Sequence, residues 1–177
     1  MSEHSLSARV SVPRVVPVEA TESFEAFFDA ESAVLFRRLC LVTGDPSEAE
    51  DVMQDAFLNL WERWDRVRAM EDPTGYLYRT AMNLFRKRYR RALLVARRAV
   101  GLAPPRDQYA EVDAKRVVAR ALATLSPRQR AALVLTELVG YSSAEAGRTL
   151  GIKAGTVRAL ATQAREALRR TMEPNDE

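Results

Sequence analysis

Residues 72–91, DPTGYLYRTAMNLFRKRYRR, constrain the fold more than any other stretch. Asp72 and Pro73 read as a helix start: a capping carboxylate, then a proline in the first turn, where its missing N–H costs nothing. Tyr78, Met82, Phe85 and Tyr89 follow at i, i+4, i+7 and i+11, so the helix carries one apolar face that must be buried. Arg79, Asn83, Arg86 and Arg90 repeat the spacing one residue on, as a cationic stripe beside it. The segment ends in Arg86, Lys87, Arg88, Arg90 and Arg91, and no acidic residue falls between Asp72 and Asp107. Guanidinium groups and aromatics on one helix suit a polyanion with exposed bases. The competing reading is a solvated basic face on an ordinary bundle helix.

Charge elsewhere is segregated. The net charge is only +3, yet residues 39–62 carry Asp45, Glu48, Glu50, Asp51, Asp55 and Glu62 without a Lys or Arg, while residues 86–98 carry seven Lys or Arg without an acid. Two partners of opposite charge are implied. At 177 residues the chain suits one domain or two small ones. Scarce glycine, abundant Ala, Leu, Arg and Glu, and no alternating strand pattern predict an all-α protein. Cys40 is the only cysteine, which excludes an intramolecular disulfide, and its apolar surroundings make it a buried small hydrophobe. His4 is the only histidine. With no signal peptide and no apolar run of spanning length, a cytoplasmic protein without membrane insertion is expected.

In chain order, residues 1–20 read as a disordered tail, containing Pro13 and Pro17. Phe24, Phe27, Phe28, Val34, Leu35, Leu39 and Val42 mark one or two helices ending at Gly44. Ser47 with Glu50 reads as a capping box. Behind it Ala49, Val52, Met53, Ala56, Phe57, Leu60, Trp61 and Trp64 make a stripe to bury, and Asp51, Gln54, Asp55, Asn59 and Glu62 occupy the other face. Asp51 and Asp55 have no histidine or third ligand beside them, so a solvated face or a docking face for a basic partner outweighs a metal or acid–base site. Residues 65–75 form a loop whose Arg66, Arg68, Met70, Glu71 and Asp72 are candidates to line a pocket. Residues 92–112, with Gly101, Pro104 and Pro105, read as a flexible linker reaching at most roughly 70 Å.

A second helical domain, 113–172, follows, with 173–177 as a tail. Val117, Val118, Ala121, Leu122 and Leu125 mark its first helix. Ser126, Pro127 and Gln129 start the next, which ends at Gly140, and Ser142 with Glu145 caps a short helix to Leu150. Gly151 turns the chain into a last helix, Lys153 to Arg170. Short helix, glycine turn and longer helix make a helix-turn-helix, an arrangement that any three-helix domain can imitate.

With these residues in view, the chain resembles a bacterial extracytoplasmic-function (ECF) sigma factor over residues 22–172. The first domain's resemblance rests on TGDPSEAEDVMQDAFLNLW and PTGYLYRTAMNLFRKRYRR, the second's on LATLSPRQRAALVLTELVGYSSAEAGRTLGIKAGTVRALATQAREALR. The order of the blocks and the linker between them agree. The resemblance implies region 2 over 21–91 and region 4 over 113–172, with promoter-specific initiation as the function and no enzyme activity, cofactor or metal. It implies that Asp51, Gln54, Asp55, Asn59 and Glu62 dock on the β′ coiled coil of core RNA polymerase, with the β flap as a further contact. Arg79 and Asn83 become base-side contacts to the −10 non-template strand, and Arg86, Lys87, Arg88, Arg90 and Arg91 phosphate contacts. The loop 66–72, with Arg66 and Arg68, is implied to hold a flipped-out base. Lys153, Thr156, Arg158, Thr162, Gln163 and Arg165 become the −35 readers. An anti-sigma factor is an implied partner beside polymerase and promoter DNA. The rival reading is a sigma-like interaction protein with impaired DNA reading.

The sequence also departs from that family. Tyr76 stands where a tryptophan is usual. The first helix of the motif usually reads Glu-Ile-Ala, and here reads Glu145, Ala146, Gly147. The reader helix usually continues Lys-Ser-Arg-Leu-His-Arg, and here Arg158, Ala159, Leu160, Ala161, Thr162, Gln163. Alanine for a large core residue costs roughly 2–5 kcal/mol unless the space is refilled, and Leu160 and Tyr141 are the candidates to refill it. Leu160 and Gln163 also remove cations. Weak or unusual −35 recognition is expected, although drift in a divergent member accounts for the same changes.

Overall fold

The structure is a computed structural model that describes residues 23–98 and 121–172. The described residues are helical and include no strand. The first domain holds α1 (Phe24–Thr43), α2 (Pro46–Trp61), the one-turn α3 (Trp64–Val67) and α4 (Pro73–Arg98). The second holds α5 (Pro127–Leu133), which widens into a π-helical turn over Val134–Leu138, then α6 (Ser143–Leu150) and α7 (Ala154–Met172).

Local signals set most boundaries. α1 is a single helix, capped by Ser23 and closed by Gly44 at φ 79°, whose N–H reaches the Cys40 carbonyl. Asp72 caps α4 by accepting from the Gly75 N–H at 2.7 Å. Gly75 leaves room for that cap, because a Cβ on it would lie 1.8 Å from the Asp72 Oδ2 and displace the carboxylate. The capping boxes of Ser126 with Gln129 and Ser142 with Glu145 both form.

Three expectations are corrected. Ser47 and Glu50 do not form the α2 cap. Asp45 does, accepting from the Ser47 and Glu48 N–H groups, because Pro46 takes the first helical position and so fixes the start two residues earlier. Trp61 does not join the buried stripe. It is 60% exposed, since it lies three residues after the outward Leu58 and follows that face. Residues 92–98, assigned to the linker, continue α4 as helix, so they add about 10 Å to the tether rather than about 24 Å. The rest of the linker, Val117, Val118 and both tails lie outside the described residues.

Phe27, Leu35 and Leu39 of α1 pack with Val52, Ala56, Phe57 and Leu60 of α2 and with Leu77, Tyr78, Met82 and Phe85 of α4. An aromatic group closes one end: Phe28 meets Phe57 at 4.7 Å between centroids, and Phe27 meets Trp64 at 5.2 Å. Such pairs contribute about 0.5–1.5 kcal/mol each beyond their buried area. The second domain's core is aliphatic, with Leu122, Leu125, Leu133, Leu135 and Leu150 buried beside Ala146, Val157, Ala161 and Ala164, and Tyr141 and Leu160 half-buried. Gly147 permits the tight approach of α6 to the following turn, as a Cβ there would stand 2.7 Å from the Ile152 carbonyl oxygen. The buried cluster runs without a break from Phe27 in the first domain to Val157 in the second.

Candidate nucleic-acid interface

Helical geometry divides the basic run of α4 among several neighbours. Arg79, Asn83 and Lys87 open onto a cleft of about 290 Å³ that is completed by Asn59, Arg63, Tyr76, Thr80 and Leu84. The Arg79 guanidinium lies 5.5 Å from the Tyr76 ring centroid, so a cation and an aromatic face stand together at its wall. Arg63, Tyr76 and Thr80 were not foreseen. Tyr76, Thr80, Asn83 and Lys87 repeat at i, i+4, i+7 and i+11 and were legible as a face. Arg63 comes from the turn between α2 and α3, which leaves no periodic signal.

Arg86 and Arg88 point elsewhere. Arg88 bridges to α2, donating to Asp51 Oδ2 at 2.9 Å and Asp55 Oδ2 at 2.8 Å. Those two bonds push its pKa further up. Arg86 is half-buried, donates weakly to Asn83 and lies against Gly151 of the second domain. Burial first, then Arg90 and Arg128, lower its pKa. Lys87, Arg90 and Arg91 remain exposed.

The α2 face is mixed. Asp51, Gln54, Asp55, Leu58 and Trp61 succeed one another at helical spacing, with Leu58 53% and Trp61 60% exposed. Glu62 ends this face, exposed. Asn59 belongs to the boundary: its amide donates to the Asp55 carbonyl at 2.7 Å, and its side chain lines the α4 cleft.

The expected loop over 65–75 is shorter: residues 64–67 form α3, whose Val67 is buried, α4 begins at Pro73, and only residues 68–72 lie between the two helices. Arg66 and Arg68 are exposed, and Arg68 pairs with Asp65 at 3.1 Å in a solvated contact of little energetic weight.

On α7 and its leading turn, Lys153, Thr156, Arg158, Thr162, Gln163 and Arg165 are all exposed. Three of the six have partners within the chain. Arg165 pairs with Glu137 at 2.7 Å and reaches the Thr162 hydroxyl at 3.3 Å, and Gln163 accepts from Gln129 at 3.4 Å. Leu160 is half-buried against the core and unavailable as a reader.

The two domains match known family descriptions: Sigma-70 region 2 over residues 27–93, and Sigma-70, region 4 over residues 115–168. The ECF RNA polymerase sigma factor SigL of Mycobacterium tuberculosis is 32% identical over 171 residues, covering 90% of this chain and 96% of that protein. SigM of the same species is 32% identical, covering 85% and 77%. The chain belongs to the ECF RNA polymerase sigma factors. Among solved structures, the sigma factor RpoE of Bartonella quintana, in complex with the anti-sigma factor NepR, superposes with a TM-score of 0.70 at 22% identity, over 86% of this chain and 98% of that one. CnrH, in complex with the cytosolic domain of CnrY, gives 0.58 at 22% identity, over 92% and 98%. These two likenesses bear on the fold.

Proposed function

We propose that this chain binds core RNA polymerase through the α2 face and directs it to promoters, the first domain trapping single-stranded −10 bases and the second meeting the −35 duplex. The observation that carries this reading is the pairing, on one small domain, of an open cation-and-aromatic cleft on α4 with an acidic and apolar face on α2. Unstacked bases gain about 1–3 kcal/mol each from aromatic platforms, and cations hold the backbone. Asp51, Gln54 and Asp55, with Leu58 and Trp61 beside them, suit a basic helical protein partner, because exposed tryptophan anchors protein interfaces. The phosphate contacts are assigned to Lys87, Arg90 and Arg91. Arg88 serves the α2 face rather than the DNA.

The upstream reading is assigned to Lys153, Thr156 and Arg158, which leaves the second domain a weak reader. An anti-sigma factor is the proposed regulator, since RpoE of Bartonella quintana, which shares the fold, is a sigma factor held by the anti-sigma factor NepR. Transcription in vitro with host core polymerase, over a library of randomised promoters, tests the assignment. Enrichment of a defined −10 sequence is expected. Co-purification with core but no enriched promoter would leave an interaction protein in its place.

A further inference from the structure

Among the described residues, the large apolar side chains most open to solvent are Trp61, Leu94 and Leu58. They fall in two patches of opposite charge. Leu58 and Trp61 of α2, 53% and 60% exposed, stand among the acids Asp51, Asp55 and Glu62. Leu93 and Leu94 of α4, 39% and 54% exposed, follow the cations Lys87, Arg90 and Arg91. Leu94 comes seven residues after Lys87 and three after Arg91, so it continues their face of the helix. Exposed apolar surface rimmed by charge marks a contact with another molecule.

Each patch is the complement of the other, and a contact within the chain shows that the charges fit. Arg88 of α4 bonds Asp51 at 2.9 Å and Asp55 at 2.8 Å, and both carboxylates stay half-exposed beyond it. That contact also fixes the two helices against each other. Asn83 shares a cleft with Asn59, while Arg88 meets Asp51 and Asp55, so α4 and α2 run antiparallel. From the level of Arg88, Leu94 lies about 9 Å along α4, and Leu58 and Trp61 lie about 8–12 Å along α2 in the opposite direction. The two patches of one copy are therefore roughly 20 Å apart and cannot meet. A second copy, turned about a two-fold axis through the Arg88 level, brings Leu93 and Leu94 over Leu58 and Trp61, and Arg90 and Arg91 to Asp55. The same axis makes the reciprocal contact, so the pair closes.

We propose that the free protein is a two-fold dimer in which the α2 face of each copy holds the end of α4 of the other. The partner is a second copy of this chain, because one chain carries both halves and, among the described residues, neither half is covered. The dimer buries Trp61, a type of side chain that anchors protein interfaces, and withdraws the α2 face from any other basic partner. Its consequence for core polymerase rests on the proposed docking by that face: core and the second copy compete for α2, so core captures the monomer.

Sedimentation velocity on the full chain, at rising micromolar concentration and at low and high salt, tests the dimer. Wild type is expected to pass from monomer to dimer and to stop there, with the dimer weakened severalfold by salt as its charged contacts are screened. Leu93→Ala with Leu94→Ala, on the α4 side, and Trp61→Ala, on the α2 side, should each weaken dimerisation about tenfold, as truncating a central interface residue does. Mixed together, the two variants should pair more tightly than either does alone, because the mixture restores one of the two contacts intact. A wild type that stays monomeric overturns the dimer, as does growth beyond two copies or a dimer indifferent to both variants. Should the variants lose their helical circular dichroism, the salt series decides alone, and a wild-type dimer unmoved by salt overturns the charge pairing. Added core polymerase is expected to yield complexes with one copy of the chain, and core that binds the intact dimer overturns the shared use of α2. A dimer with all these properties that fails to bind core supports the proposal and strikes the functional reading instead.

Discussion

The two domains present their polar residues in opposite ways. In the first, a run of cations on one helix is sorted by neighbouring elements: Arg88 goes to the carboxylates of α2, Arg86 to the second domain, and Arg79 and Lys87 to the cleft. In the second, the candidate readers form a single exposed face, and half of them are held by partners within the chain. The cores differ too, aromatic and bulky in the first and aliphatic in the second. A heavily packed core holds a cleft of defined shape. An aliphatic core under an outward face fixes a helix, and recognition is left to the few side chains on that face without partners among the described residues.

The core comparison predicts the largest effects. Phe57→Ala should cost about 3–5 kcal/mol, as large aromatic deletions in cores do, and Ala161→Leu about 1–3 kcal/mol through overpacking. Urea unfolding of each variant measures both, and an unaffected Ala161→Leu would mean that room remains around Ala161. Next in size is the recognition comparison. Arg79→Ala with Asn83→Ala should weaken binding to a −10 single strand by about a hundredfold, each contact being worth about 1–3 kcal/mol. Arg158→Ala should lower affinity for duplex DNA only about threefold. Anisotropy titrations at fixed salt compare the two, and equal losses would remove the asymmetry.

Arg88 sharpens the division within the first domain. Its pairs with Asp51 and Asp55 are more than a third exposed, so Arg88→Ala should cost less than about 1 kcal/mol of stability. It should leave −10 oligonucleotide affinity within twofold and strengthen binding to core by freeing two carboxylates. A large loss of oligonucleotide affinity would return Arg88 to the DNA face.

The smallest effect is a pH dependence. Glu31 of α1 is 8% exposed and accepts from the Thr74 hydroxyl at 3.1 Å. Burial raises its pKa above the ordinary 4.5, against the opposing Thr74 bond and the Arg38 charge, and Asp72 adds to the rise. The folded state therefore holds the proton more tightly than the unfolded chain. Its contribution is full below pH 4.5 and is lost as pH rises through the folded value. Glu31→Gln should flatten that fall and raise the melting temperature at neutral pH, as differential scanning calorimetry across pH 4–8 would register.

Much of this was legible because the determinants are local. The Asp72 cap, the two capping boxes of the second domain, the apolar face of α4 and the exposed −35 candidates follow from spacing and residue type. Ser47 reads as the cap of α2 when the proline before it is overlooked: Pro46 takes the first helical position and leaves the cap to Asp45. What stayed hidden depends on neighbours distant in sequence. Arg63 enters the cleft from a turn, Arg88 turns to α2 because that helix brings carboxylates to it, and Arg130, near a helix start, is buried on the Val42 and Thr43 carbonyls. No local pattern distinguishes a guanidinium that will be buried on another helix's last carbonyls.

The central claim is that reading is concentrated in the α4 cleft of the first domain. Initiation from promoters enriched in the library, with the −10 or the −35 segment scrambled separately, tests it most directly. The account predicts that scrambling −10 abolishes specific initiation, while scrambling −35 lowers it less than about tenfold, as expected where few base contacts are lost. Abolition by the −35 change, with initiation persisting after the −10 change, would contradict it.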